Sequence, residues 1–317
     1  VAPFKIRGRL ISFFQLSIVI GILISYYINY AIHDIGPNNW RWMFASGSVP
    51  SLLFFFLLFL VPETPRFLYK IGRKDEAYLI LKKINGEQIA TYEINQIQKS
   101  MKEIQTGFHV LLRPSLRKVM WVGFALAVFV QFSGINTIID YAPIILESAG
   151  WQIDAALFST FIIGFVNLLF TLVAIWAIDR FGRKPLYLIG SSGLTLVLVL
   201  ITLFSALGRF EGNFVLMLIL LFIAFFASCI GPVFWTLVSE IFPNDIRGTA
   251  MSVPVFTQWI ANAVVVLFFP WMLSNAGGTA TFGTLAMFAG LMLIFTIYYV
   301  PETKGKTLEE IEEYWQA

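Results

Sequence analysis

The same ten-residue pattern stands at two places in this chain, and the same tripeptide follows each copy at nearly the same distance. Pro3-x-x-Ile6-Arg7-Gly8-x-x-x-Ser12 matches Pro243-x-x-Ile246-Arg247-Gly248-x-x-x-Ser252. Pro62-Glu63-Thr64 follows the first copy and Pro301-Glu302-Thr303 the second, at spacings of 62 − 3 = 59 and 301 − 243 = 58 residues. Two apolar stretches separate the markers each time. A repeat with a period of 243 − 3 = 240 residues constrains architecture more than any local propensity, because both copies must fold into one layout. Only two residues precede the first copy, and the chain opens on Val1 rather than Met. The expectation is that the front of the first half is missing.

The solvent for these stretches is lipid. The chain is 58% hydrophobic and 13% charged, with mean hydropathy +0.77, whereas soluble domains carry about 25% charged residues. Crossing a bilayer takes about 20 apolar residues. Eight stretches are long enough: Leu10–Tyr30, Trp40–Val61, Val119–Leu146, Ala155–Ile178, Pro185–Leu207, Phe214–Phe242, Thr249–Leu273 and Thr281–Val300. A single cysteine, Cys229, excludes an internal disulfide, and no cleavable signal peptide pattern is present.

Cation counting orients the spans. Of 22 Lys and Arg, only Arg41 and Arg209 fall in connections of one parity, and 22 − 2 = 20 fall in the other set or at the termini. Cytoplasmic loops carry the excess of Lys and Arg, so both ends of the chain are expected in the cytoplasm. Glu63–Lys118 is the one long polar segment. Ala77, Ile80, Leu81 and Ile84 recur there at helical spacing, as do Ile94, Ile97, Met101 and Ile104, which predicts short amphipathic helices on the inner face. Thr307 and Glu310 have capping-box spacing ahead of a Leu308, Ile311 and Trp315 stripe, predicting a short tail helix. The expected organisation is residues 1–62 as the end of a first helical bundle, 63–118 as a cytoplasmic helical linker, 119–300 as a six-helix bundle and 301–317 as the tail. If the halves are alike, the first should also hold six spans, four of them ahead of Val1.

Uncharged polar groups lie deep inside these spans. At 1.5 Å per residue Gln131 is about 18 Å into its span, and Asn167 is at similar depth from the other side. Gln258 and Asn262 lie about 14 and 20 Å in, and being four apart they share a helix face. Carboxamides at one depth are costly against lipid and should face the bundle interior. Trp259 is adjacent, and Trp235 follows Gly231-Pro232, where proline removes a helical hydrogen bond and permits a kink. A carboxamide donates and accepts, so it can grip paired hydroxyls. An indole offers an apolar face and one N–H. This is the chemistry of a polyol site; interhelical hydrogen-bonding glue is the alternative.

Four motifs then occur in order: Pro62-Glu63-Thr64-Pro65-Arg66, Gln131-Phe132-Ser133-Gly134-Ile135-Asn136, Asp179-Arg180-Phe181-Gly182-Arg183-Lys184 and Pro301-Glu302-Thr303-Lys304-Gly305. Together they resemble the sugar porter family of the major facilitator superfamily, which includes bacterial xylose–proton symporters and glucose facilitators. The resemblance runs from Val1 to about Glu312. It implies an all-α integral membrane protein of the major facilitator fold, with 8 of 12 transmembrane helices present, numbers five to twelve, plus short cytoplasmic helices. It also implies that the positions matching Gln15, Gln131, Asn136, Asn167, Trp235 and Gln258 contact a sugar. Gln15 reads as shallower than the rest. Two departures stand out. Many relatives have a second glutamine where this chain has Val130, and the family often has paired tyrosines where this chain has Asp140-Tyr141. Tyr141 can serve as an outer gate. Asp140 has three readings: a proton site, a hydroxyl acceptor, or a carboxylate wetted near the outer end.

Asp179, Arg180, Arg183, Glu240 and Arg247 fall at inner ends of spans. Guanidinium forks pair with carboxylates in fixed geometry, so these residues, joined by Glu63, Arg66 and Glu302, are expected to form a cytoplasmic gate. Topology alone would explain the Lys and Arg but not the interleaved acids. His33 and His109 are far apart, and no metal cluster, nucleophile elbow or phosphate loop is present, so neither an enzyme nor a metal or other cofactor is expected. Basic residues facing lipid headgroups give no support to nucleic-acid binding. The expectation is transport of a monosaccharide by alternating access, with a proton as co-substrate, in a cell membrane of bacterial inner type, by a protein that is functional as a monomer when full length. Facilitated diffusion, an inositol or other polyol as cargo, and a sugar-sensing receptor are the alternatives. With four spans absent, these residues alone should not transport.

Overall fold

The computed structural model describes residues 7–103, 111, 113–210, 212–243, 246–306, 310–311 and 315. Pro3, Ile6, Ile104, His109, Thr307 and Leu308 lie outside them. The described residues form helices and connecting turns. The order is α1 (Arg7–Ile32), α2 (Asn39–Ser46), α3 (Ser48–Leu58), α4 (Pro65–Lys70), α5 (Lys74–Asn85), α6 (Glu87–Glu103), α7 (Arg117–Phe132), α8 (Ile135–Asp140), α9 (Ala142–Ser148), α10 (Ile153–Phe181), α11 (Arg183–Ala206), α12 (Gly212–Phe225), α13 (Gly231–Ile241) and α14 (Arg247–Tyr299).

Seven helical stretches among the described residues are long and apolar enough to cross a membrane. The last of them, α14, contains Gly277 with non-helical backbone (φ 77°, ψ 170°), so it comprises the two final spans read from the sequence. Three spans expected to be continuous are not. The stretch Trp40–Val61 divides at Gly47 into α2 and α3. The stretch Val119–Leu146 breaks at Ser133-Gly134 into α7, α8 and α9, and Phe226–Ile230 forms a π-helical turn between α12 and α13. That turn stands just ahead of Gly231-Pro232, where proline withholds an N–H and the ladder must rearrange.

The main core is built from α7 to α14, with Leu126, Ile138, Ile163, Tyr187, Phe222, Phe234 and Phe282 fully buried. Helix α14 lies along both α7 and α11, and α1 packs along α10 and touches α13. Ile311 and Trp315 are buried against this core, so the tail docks on the bundle as its stripe predicts. In α2 and α3 no residue is buried.

Helices α4 to α6 pack on one another around Leu81, Ala90 and Ile97, with Tyr69, Tyr78 and Ile94 alongside. The first Pro-Glu-Thr copy starts this unit. Thr64 is the N-cap of α4, accepting from Phe67 N at 3.3 Å, and Pro65 occupies the first turn, where no partner for its missing N–H is needed. Arg73 and Glu76 pair across the start of α5, with Nε to Oε1 at 2.7 Å. The carboxylate holds the exposed Arg73 guanidinium above its ordinary pKa. Such exposed pairs contribute little to stability.

Candidate functional site

A cleft of about 110 Å³ opens between α1 and the main bundle. Its walls carry Gln15 from α1, Gln131 from α7, Asn136 from α8, Asn167 from α10, Trp235 from α13 and Gln258 from α14. Six helices therefore each deliver one uncharged hydrogen-bonding side chain to a common space. None of the residues lining it carries a charge.

The polar groups are partly paired with one another and partly open. Asn136 Nδ2 donates to Gln131 Oε1 and to Asn262 Oδ1, both at 2.9 Å. Trp235 Nε1 donates to Gln15 Oε1 at 3.1 Å. Gln258 Oε1 is buried without a hydrogen-bond partner. Among the described residues no side-chain hydrogen bond is found for the buried amide of Asn167. An unmet acceptor in a buried site costs about 1–3 kcal/mol, and a hydroxyl donor would offset that cost. The apolar remainder of the wall, including Val130, Ile135, Phe226 and Phe234, suits the C–H surface of such a ligand. Phe14 sets the pose of Trp235 edge-on, with ring centroids 5.4 Å apart and planes at 85°.

Several expectations change in detail. Gln15 reads as shallow from its apolar boundary, yet α1 begins at Arg7, which puts Gln15 about 12 Å along the helix and in contact with Trp235. Asn262 does not line the cleft; it supports Asn136 from behind. Tyr141 lies beyond the lining residues, with its hydroxyl donating to Val266 O at 3.2 Å and its ring stacked on Phe269 at 5.5 Å. Asp140 is exposed and is not among the lining residues.

Asn136 reaches the cleft because the chain breaks just before it. Gly134 has φ 85°, a left-handed conformation that only glycine adopts without strain. A Cβ there would stand 2.6 Å from Leu285 Cδ1. Gly134→Ala is expected to destabilise by about 1–2 kcal/mol through the backbone alone, with Leu285 forced to shift as well. Loss of thermal stability in detergent together with weakened ligand binding would show it; an unchanged melting profile would refute it.

The charged residues at the inner helix ends form a second constellation. Arg183 makes a forked pair with Glu240, Nε to Oε2 at 3.1 Å and Nη2 to Oε1 at 2.9 Å, and both side chains are largely buried. Asp179 stands 3.9 Å from Arg183 Nη1. Thr303 Oγ1 donates to Glu240 Oε2 at 2.6 Å. The second Pro-Glu-Thr copy works differently from the first. The Glu302 carboxylate accepts from the backbone N–H of Arg183 at 3.0 Å and of Lys184 at 3.1 Å, capping the start of α11, where the helix dipole favours an anion. Gly182 permits that approach, since a Cβ there would meet Glu302 Oε2 at 2.6 Å. The cluster thus ties α10, α11, α13 and the end of α14.

Three residues expected in this cluster sit elsewhere. Arg180 lies over the Trp176 ring, 5.0 Å from its centroid, on the exposed face of α10. Glu63 and Arg66 are exposed at the start of α4, which packs mainly on α5 and α6. Arg247 donates to Phe242 O, from Nε at 3.3 Å and from Nη2 at 3.2 Å. Thr303 was visible in the repeated tripeptide, but its role was not, because pairing with Glu240 across 63 residues has no local signature. Among the described residues, no group of three His, Cys, Asp or Glu could hold a metal ion.

A bundle of long apolar helices around an uncharged polar cleft is the architecture of a membrane transporter. Comparison with known proteins agrees. The family model described as sugar (and other) transporter matches residues 1–315. The arabinose-proton symporter of Bacillus subtilis strain 168 is 40% identical over 321 residues, covering 99% of this chain and 69% of that protein. The D-xylose-proton symporter of Escherichia coli K12 is 41% identical over 336 residues, covering 100% of this chain and 66% of that protein. Among solved structures, the major facilitator proton:xylose symporter XylE bound to 6-bromo-6-deoxy-D-glucose superposes with a TM-score of 0.86 at 39% identity, over 99% of this chain and 68% of that one. The chain therefore belongs to the sugar transporter family of the major facilitator superfamily, a family of transporters and not of enzymes, and spans about two thirds of the length of these relatives.

Proposed function

We propose that the protein carrying this chain moves a monosaccharide across a membrane by alternating access, coupled to a proton. The observation that carries this reading is the convergence of Gln15, Gln131, Asn136, Asn167, Trp235 and Gln258 on one uncharged cleft. A neutral, hydroxyl-rich ligand matches such a lining, while a carboxylate substrate would find no cation in it. The names of the relatives, arabinose and xylose symporters, favour a pentose. Val130 in the cleft wall removes one hydrogen-bonding partner that many sugar porters supply, which favours a small sugar over a larger one.

In this reading the ligand is exchanged for the internal amide pairs as the two halves close around it, so occupancy lowers the barrier between outward- and inward-open states. Residues 1–62 belong to the first half, 119–300 to the second, and 63–118 and 301–317 dock on the cytoplasmic face. The Arg183, Glu240, Asp179 and Glu302 cluster fixes the inner ends of one half, and Tyr141 closes the outer side through Phe269. The excess of Lys and Arg on one side supports a cytoplasmic position for both ends of the chain. The membrane is a bacterial inner membrane and the working unit a monomer.

Uptake of radiolabelled D-xylose and L-arabinose into vesicles, with and without an uncoupler, tests the reading. Accumulation that the uncoupler collapses is expected. Saturable entry indifferent to the uncoupler would replace symport by facilitated diffusion, and absence of entry for any monosaccharide would reject sugar transport. Asp140 is the one acidic residue among the predicted spans that faces neither the inner cluster nor the cleft. If it carries the coupled proton, Asp140→Asn abolishes accumulation while counterflow persists; unchanged accumulation removes that role.

A further inference from the structure

Pro143 deprives the outer part of the third span of a hydrogen bond that a helix would need there. The carbonyl of Ile139 would ordinarily accept from the N–H four residues on, and that residue is proline, which has none. The partner comes instead from another helix. Tyr26 of α1 donates its hydroxyl to Ile139 O at 2.8 Å, across 113 residues of sequence. The Tyr26 ring is held in place by α10: at Gly164 a Cβ would stand 2.9 Å from Tyr26 Cδ2 and 3.1 Å from Leu23 Cδ1. The ring thus occupies a slot that only a residue without a side chain opens, and its hydroxyl is aimed at α8.

The position of this bond matters. Tyr26 lies about 16 Å outward of Gln15 along α1. Ile139 lines the cleft. Helix α8 carries Asn136, which holds Gln131 and Asn262, and it leads directly into Tyr141, stacked on Phe269. One hydroxyl therefore bridges from α1 to the short segment that bears both a cleft amide and the outer aromatic contact.

We propose that Tyr26 is a positioning residue: its hydroxyl ties α8 to α1 and holds the outer mouth of the cleft narrow. This rests on the reading above, in which α1 and α8 belong to different halves and the cleft is entered from the outer side. Without the hydroxyl, Ile139 O loses its partner from α1, and at 8% exposure the residue meets little water in its present place. The segment then gains by moving toward the water-filled mouth, and the outward-open population rises.

The test uses a reporter that is independent of any ligand. Ile22 lines the cleft from α1. Ile22→Cys in a Cys229→Ser background is labelled from the outside with a membrane-impermeant maleimide. Tyr26→Phe keeps the ring against Gly164 and removes only the hydroxyl. It is expected to raise the labelling rate about two- to tenfold, the range set by one ordinary hydrogen bond. Pro143→Ala restores an N–H that can serve Ile139 O, so in that background Tyr26→Phe is expected to have no effect. A labelling rate unchanged by Tyr26→Phe, or raised equally in both backgrounds, would overturn the proposal. Protection of the reporter by saturating D-xylose reads the chamber assignment separately, since the Tyr26 comparison needs no sugar.

Discussion

Replacing Arg183 with alanine is expected to destabilise the bundle by about 3–5 kcal/mol, the cost of leaving a buried carboxylate without its cation. Glu240 would keep only the Thr303 hydroxyl at 2.6 Å, and its side chain is 11% exposed, so water cannot take the guanidinium's place. Arg183→Lys should lose part of that amount, because an ammonium cannot reproduce a forked pair on both carboxylate oxygens. The paired change Arg183→Met with Glu240→Leu should recover most of the stability, since well-packed apolar residues often replace a buried ion pair at little cost. Transport should not recover with it, because a permanently apolar contact cannot exchange partners as the inner ends separate. Thermal unfolding in detergent and vesicle uptake, measured side by side, separate the two roles. If Arg183→Ala unfolded at the native temperature, the cluster would have no structural weight.

Gln258→Ala is expected to weaken sugar binding about five- to a hundredfold while leaving the fold intact. Gln258 Oε1 has no partner in the protein, so removing it breaks no internal bond. What is lost is an acceptor for a ligand hydroxyl that would then be enclosed without one, a deficit of about 1–3 kcal/mol, at 1.4 kcal/mol per tenfold. Asn262→Ala provides the contrast. It removes support from Asn136 without touching the ligand, so its effect on affinity should be several-fold smaller. Equal losses from both substitutions would mean that the amides act as helix glue and not as ligands.

Much of this was legible in the sequence because lipid makes polarity conspicuous. Amides such as Gln131, Asn167 and Gln258 stand out in apolar runs, and their common depth follows from rise per residue alone. The doubled Pro-Glu-Thr marker likewise led to the expectation of two related halves. Backbone conformation was less visible. Ser133-Gly134 lies inside an unbroken apolar stretch, and hydropathy does not register that Gly134 turns left-handed and divides the span. Side-chain direction was also hidden. Arg180 and Arg183 occupy the same helix junction, yet one stacks on Trp176 and the other turns inward to Glu240. Glu63 and Arg66 share a motif with Glu302 but not its surroundings, because Thr64 starts a helix that packs elsewhere. Long-range partnerships such as Tyr26 with Ile139 have no sequence period at all.

The claim beneath the whole account is that carboxamides from separate helices hold one sugar together. Equilibrium binding of labelled D-xylose to the purified protein, compared for the unmodified form, Gln131→Ala, Gln258→Ala and the double variant, tests it directly. The account predicts saturable binding, weakened by each single change and coupled in the double, because both amides grip the same ring. Folded protein that binds no monosaccharide, or binds it equally well in all four forms, would contradict it.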